Sequence, residues 1–304
     1  MRAHLPFPVE APYRAAPSLR ALGPAPHVLI DDAWPASAAR RLERLRDDPV
    51  GVLVLDGPPR PGLLDALHRA WTLLPAPRRG DLVRLDHLGV EVDLAALTAR
   101  RTGACEVAGA QEAVLAASGF DLLVRAWLLA CSDDLVVLRR TGPGALAAEL
   151  LAVAFPSGWS PRERAGAPLD MLHAPVADGA RLRQATAALS EALLSKGPYL
   201  QHVWGLDPSG RLDRDPSARD AADDRDRPAA DWWLRVERQT TLPLGDRALF
   251  LIRPYLVPLR QLTPDQRLVL RDAIASMTPE ALAYKGISHL REDLLDQLSD
   301  GSGG

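Results

Sequence analysis

Two places in this chain carry side chains whose types and spacing could do chemistry. The first is a histidine. The seven histidines fall at positions 4, 27, 68, 87, 173, 202 and 289, and no two sit at the helical or strand spacing that a zinc site needs. A histidine ligand here would have to serve a cofactor that takes only one side chain from the protein. His173 stands in Leu172-His173-Ala174-Pro175, where Pro175 stiffens the backbone and limits the wandering of the ring. On the residues alone, a core or surface histidine bonded to backbone is the better account. The second place is the segment Leu234 to Thr241, in which Arg235, Glu237 and Gln239 share one face of a strand while Leu234 and Val236 point to the other. A glutamate so placed can accept and relay protons, with an arginine holding its charge and a glutamine donating to it. A solvated sheet face with an ordinary ion pair, or a structural network beneath the sheet, would look the same, and both readings stay open.

Many other chemistries are excluded. There is no glycine-rich phosphate loop, no GxGxxG after a strand, no HExxH, no GxSxG and no CxxCH. Formal net charge is -3, so no basic field draws the protein to nucleic acid or an anionic membrane. The two cysteines, Cys105 and Cys131, have no partner at metal-ligand spacing, which suits a reduced cytoplasmic protein. No signal-like apolar run opens the sequence, and no stretch of about 18 apolar residues is long enough to span a membrane.

The elements that must position these residues follow from period and capping. The first 35 residues, rich in Pro and Ala, read as an extended arm over something else. Residues 36–47 and 62–73 read as amphipathic helices with a candidate strand, Val50 to Leu55, between them, and Val90, Val92 and Leu94 alternate as in a half-buried strand. Gln111 to Ala130 reads as one long apolar helix, and DDLVVLRR and ALAAELLAVAF read as two elements joined by a turn at TGPG. Ser160-Pro161-Arg162-Glu163 and Thr263-Pro264-Asp265-Gln266 both carry the signature of a capped helix start, and Thr278 before Pro279 caps another. Residues 178–196 form a further helix. Residues 207–231, with eight Asp and five Arg, read as a mobile loop or lid. WWLRVERQT and ALFLIRPYLV read as a buried antiparallel hairpin, after which the chain is helical to its flexible GSGG end.

FPSGWSPRERAGAPLDMLHAPV, WLRVERQT and FLIRPYLVPL, together with SDDLVVL and MTPEALAYKG, resemble the haem-binding subunit family of oxidative N-demethylases. The matching motifs run from about residue 132 to 297, and the N-terminal third matches loosely, through PYRAAPSLRAL and the turn at Asp31 and Asp32. The resemblance implies an α+β fold: a PAS-like antiparallel sheet with helices on one side, enclosing a pocket for non-covalent haem b. It implies one haem-binding domain over 1–304, made of an extension (1–108), a PAS-like core (109–262), C-terminal helices (263–299) and the flexible charged loop (207–231). It further implies that a reductase passes electrons from NADPH to the haem, that dioxygen binds the iron, and that a methyl group of a secondary amine leaves as formaldehyde. His173 becomes the iron ligand, leaving the opposite face open for oxygen. Glu237 becomes a proton relay, with Arg235 and Gln239 in support. Phe155, Trp159, Trp232, Trp233 and Phe250 could pack against the porphyrin, although most such residues are simply core. Arg253, Arg235 and Lys285 are candidates for the haem propionates, and Cys131 reads as core.

The resemblance also has gaps. Where the family pattern places an Arg and an Asn before the Trp of LQHVWGL, this chain has Gln201 and Val203, which weakens the demethylase reading more than the haem reading. The TTLPLGD turn lacks the usual arginine, and the charged loop is long. His202 beside these changes could be a second ligand or acid, or a surface residue. No flavin, ferredoxin or nicotinamide motif is visible, so electrons must come from a separate reductase. The rival readings are a haem-binding PAS-like sensor or carrier without turnover, and a haem-free interaction module.

Overall fold

The computed structural model describes residues 6–14, 19–169, 179–217 and 227–299. Its strands are β1 (Arg20–Ala21), β2 (Leu53–Leu55), β3 (Arg78–Arg79), β4 (Leu82–Leu85), β5 (Val90–Asp93), β6 (Thr98–Arg101), β7 (Asp134–Gly142), β8 (Ala145–Ala152), β9 (Tyr199–Asp207), β10 (Trp233–Pro243) and β11 (Arg247–Pro258). The longer helices are α1 (Trp34–Asp47), α2 (Leu63–Trp71), α3 (Ala110–Leu115), α4 (Gly119–Ala130), α5 (Gly179–Ser195), α6 (Pro264–Ala275), α7 (Pro279–Tyr284) and α8 (Arg291–Ser299). Seven strands form one antiparallel sheet in the order β1-β9-β10-β11-β7-β8-β2, and β3 to β6 form a smaller meander. The large sheet does not close into a barrel: its outermost strands, β1 and β2, are two and three residues long. The fold is thus α+β and antiparallel, as the sequence indicates.

Local chemistry accounts for most of these elements. The β10–β11 hairpin pairs from Trp233↔Pro258 to Pro243↔Ala248, carrying the expected period of two across both strands. Helix α2 buries Leu63, Ala66, Leu67, Ala70 and Trp71, one stripe of a 3.6-residue period. Thr263 and Gln266 make a reciprocal capping box on α6, and the Thr278 hydroxyl accepts from Ala281 N on α7. The Ser160 hydroxyl does not cap the turn that Pro161 starts; it meets the Ser217 hydroxyl at 3.3 Å. The long helix expected over Gln111 to Ala130 is broken into α3 and α4, because Ser118 is extended and Gly119 takes φ +61°. Val50 and Val52 belong to a turn of helix begun by Pro49 and capped by the Asp48 carboxylate, so only Leu53–Leu55 is strand.

The large sheet is apolar on both faces, and helices therefore cover both rather than one. On one face Leu135, Val137, Leu249 and Leu251 pack with α1 to α4 and the small meander, while Leu234, Val236, Tyr255 and Val257 pack with α6 to α8. On the other face Val136, Leu138, Ala248 and Ile252 pack with Leu169 and with Leu193 and Leu194 of α5. Among the described residues no helix is long and apolar enough to cross a membrane.

Between the two cores of the first face lies a buried charged cluster. Arg238 and Arg253 are register partners on β10 and β11, 5% and 2% exposed. The N-terminal arm closes over them: Arg238 donates to the carbonyls of Pro26 and His27, and Arg253 donates to Leu29 O (2.6 Å) and Asp31 Oδ2 (2.6 Å). Between β1 and α1 the arm runs through turns and irregular chain, with the carbonyls of Pro26, His27 and Leu29 turned to these donors. The acidic stretch expected as a mobile loop is docked over its described part, with Arg214 N donating to Pro156 O and Gly158 N to Arg214 O, and with Asp207 and Asp215 buried.

Asp133 sits in the same cluster, fully buried, with neither carboxylate oxygen hydrogen-bonded among the described residues. Burial pushes it up to about 6 against the opposing pull of Arg253, Arg238 and Arg41. The native protein therefore keeps a proton that the unfolded chain begins to release near pH 3.8, so stability falls as pH rises from there to about 6. Asp133→Asn should flatten that slope and leave the protein no less stable at neutral pH, an effect of roughly 3 kcal/mol. Urea melts at several pH values across the interval check this; a wild type whose stability is level there would refute it.

Candidate functional site

Glu237 is the centre of a hydrogen-bonded ladder on the α5 side of the large sheet. The register sets Gln201 beside Gln239, and Val203 beside Glu237 with Pro254 on its other flank. Gln201 Nε2 donates to Gln239 Oε1 (2.6 Å), and Gln239 Nε2 donates to Glu237 Oε2 (3.0 Å). From the other side the Ser157 hydroxyl donates to Glu237 Oε1. Arg235 Nε lies 3.6 Å from the same oxygen. Every donor in the chain points toward the carboxylate, which holds it as a fixed acceptor with lone pairs to spare. Gln201 Oε1 and Arg235 Nε are buried and have no hydrogen-bond partner among the described residues, so the ladder keeps an unused acceptor and an unused donor.

Arg235 is also what brings Ser157 to the site. Its Nη2 donates to Phe155 O (2.9 Å) and its Nη1 to Leu212 O (2.8 Å), so one guanidinium fixes the segment before Ser157 and the loop beneath it. Val203, the register neighbour of Glu237 on β9, is 37% exposed, while the Glu237 side chain itself is 13% exposed. Burial, and then the charge of Glu237, raise the phenol of Tyr284 above its ordinary value, which places that ring within reach of the ladder's field.

The other expected site residues are dispersed. Trp159 and Phe250 pack against the core of the ladder face. Phe155 packs in the core of the opposite face, with the Arg41 guanidinium 4.6 Å from its ring centroid. Trp232 belongs to the C-terminal core and Trp233 lies against Gly210. Arg253 is committed to the arm. Lys285 stands at the sheet edge, donating to Trp204 O at 2.5 Å with its ammonium 4.4 Å from the Trp204 ring, and burial lowers it to about 8. There it blunts the part of β9 that two-residue β1 does not cover. Cys131 is fully buried, with its thiol pushed upward by burial, and is core. His202 is the register partner of Arg238 and so belongs to the face away from Glu237; burial lowers it. His173 falls outside the described residues. Ser157 was not anticipated from sequence, and neither was the use of Gln201: a hydroxyl one residue past Phe155-Pro156 carries no signature of its own.

These features define an antiparallel α+β protein with a polar, carboxylate-centred ladder set into an otherwise apolar sheet face. Residues 18–295 match the family described as haem-dependent oxidative N-demethylase, alpha subunit-like, and the chain belongs to that family. No curated protein matches it.

Arg235→Lys tests the dual role of the guanidinium. An ammonium cannot donate along two diverging directions to Phe155 and Leu212 while facing Glu237. We expect a loss of about 2–4 kcal/mol and faster amide exchange at residues 209–217, read by mass spectrometry after deuteration. Unchanged exchange in that loop would show that the guanidinium does not hold it.

Proposed function

We propose that this chain is a haem b-dependent oxygenase that oxidises a small N-methylated amine, using dioxygen and electrons from a separate, NADPH-fed reductase, in the cytoplasm. The ladder on Glu237 carries the reading: a hydrogen-bonded carboxylate at the border of an apolar face, in a chain of a haem-dependent family. The large antiparallel sheet with α5 across that face supports a PAS-like core.

The residues present suit haem. Val136, Phe250 and Ile252, with Trp159 beside them, are apolar surface of the kind a porphyrin packs on, and they lie under Leu169 and under Leu193 and Leu194 of α5. The orphaned Gln201 Oε1 and Arg235 Nε give polar atoms that a bound group, its water or a substrate can satisfy. Haem asks one ligand of the protein, and His173 is the proposed one; it stands four residues beyond Leu169, whose side chain packs on this face. Bound haem would supply the activation of dioxygen. The chain's own residues hold and move protons: Glu237 takes a proton at Oε2 or Oε1 and passes it on, Ser157 and Gln239 keep both oxygens oriented, and the Arg235 guanidinium stands beside them. A haem-binding sensor without turnover is the second reading, favoured by Gln201, whose amide is spent on Gln239.

Purified protein given haemin should show a Soret band that His173→Ala abolishes or shifts, while Glu237→Gln keeps the wild-type spectrum. With a reductase and dimethylamine-type substrates, formaldehyde should form, and Glu237→Gln should lower its rate by about 10²-fold. A Soret band unchanged in His173→Ala would overturn the ligand assignment, and spectral competence without any product would favour the sensor.

A further inference from the structure

We propose that the pocket beside the free end of β11 is a binding site for a small aromatic carboxylate. β7 stops pairing at Asp134↔Ile252, whereas β11 runs on to Pro258, so the outer edge of its last six residues has no strand beside it. A cavity of about 280 Å³ opens there, bounded by the first turns of α1, by Phe155 and Leu212, and by the β11 edge itself. Its lining straddles the strand edge, with Trp233, Pro254 and Leu256 on the Glu237 face and Arg253 and Tyr255 on the other, and it does not include Val136, Phe250 or Ile252.

Its polarity selects an anion. Among the described residues the lining holds two arginines, Arg40 and Arg253, and no Asp or Glu; Arg253 is already held by Leu29 O and Asp31, so Arg40 is the cation left for a ligand. Arg40 is exposed on α1 and has no acidic partner among the described residues, so its fork is free to bind. The Ser132 hydroxyl, on a residue 5% exposed, is buried with no hydrogen-bond partner. The strand edge adds a third donor. Pro254 has no N–H, so its pairing with Glu237 is of the non-hydrogen-bonded kind; Leu256, two residues on, then turns its N–H outward, to the pocket side. Arg40, the Ser132 hydroxyl and the Leu256 N–H thus border one cavity, a donor set that suits a carboxylate head group.

The remaining walls select the body of the ligand. Phe155, Leu212, Trp233 and Tyr255 present aromatic and aliphatic surface. The Trp233 ring is packed so closely on Gly210 that a Cβ there would lie 2.4 Å from it, which fixes that wall. An apolar cavity of about 150 Å³ accepts benzene, so this one has room for an aromatic ring and a short acidic arm. The pocket is also preformed, since Arg235 clamps the carbonyls of both Phe155 and Leu212.

Calorimetric titration of the full chain with phenylacetate and indole-3-acetate, beside phenylacetamide and 2-phenylethylamine, tests this. We expect saturable one-to-one binding of the two acids, with the amide weaker by about tenfold or more and the amine silent. Arg40→Ala should weaken the acids about tenfold, and Ala36→Trp, at an exposed α1 position on the rim, should abolish binding without changing the melting temperature or the haem spectrum. If Ala36→Trp melts early, Arg40→Glu serves instead, because it reverses an exposed charge. Absence of saturation by the acids up to about 10 mM, equal affinity for the amide, or acid binding retained in Ala36→Trp or Arg40→Glu each overturns the proposal. Binding that perturbs the Soret band and survives these variants places the acid at the iron instead.

Discussion

A buried guanidinium must find acceptors, and in this protein that demand organises the irregular chain. The described residues include five buried arginines: Arg41, Arg235, Arg238, Arg247 and Arg253. Each donates to at least one backbone carbonyl of a segment outside regular structure, namely Ser132, Phe155 and Leu212, Pro26 and His27, Pro61, and Leu29. A hydrogen bond from a charged donor contributes about 1.5–3 kcal/mol, and an unmet buried charge costs more. The arm buries Val9, Leu22 and Val28 and the 153–158 segment buries Val153 and Phe155, but beyond two-residue β1 neither forms regular elements that would satisfy its carbonyls. Besides that packing they are held against the sheet because their carbonyls accept from buried guanidinium groups that would otherwise lack partners.

Strand β10 shows how this divides the molecule. Odd positions Arg235, Glu237 and Gln239 face α5, while Arg238 faces the arm. Glu237 compensates one cation and Asp133 and Asp31 compensate the other side, so each face has its own electrostatic closure within a single pleat of backbone. The ladder is therefore held twice, by its amide and hydroxyl donors and by the loop that Arg235 anchors. A change in that loop would be felt at Glu237 through one side chain.

What could be read from the sequence and what could not follow this same line. The hairpin, α2, α6, α7 and the strand at Val90 were legible because period and caps are local properties. The face shared by Arg235, Glu237 and Gln239 was legible for the same reason. β9 was not, since Leu200 to Leu206 mixes Gln, His and Gly and shows no alternation; its pairing comes from β10. The break between α3 and α4 lay in one Ser-Gly step. Arg253 and Lys285 were recognisable as cations in need of an acceptor, but the acceptors proved to be the arm and the carbonyl of Trp204, and contacts to backbone across long separations leave no mark on composition.

Gln201 and Val203 bear most directly on the proposed chemistry. A cation at position 201 would stand beside Gln239 and add a second positive charge to the ladder, leaving Glu237 outnumbered. With glutamine there, the amide passes its donor along the ladder without adding charge, and among the described residues Arg235 is the cation beside Glu237. A carboxylate balanced once can still attract a protonated amine or take its proton, whereas one flanked by two cations would repel the amine. Valine at 203, the β9 register neighbour of Glu237, adds no polar group to the ladder. The two departures from the family pattern thus leave the ladder as one carboxylate fixed by a hydroxyl and an amide relay, with Arg235 the cation beside it among the described residues.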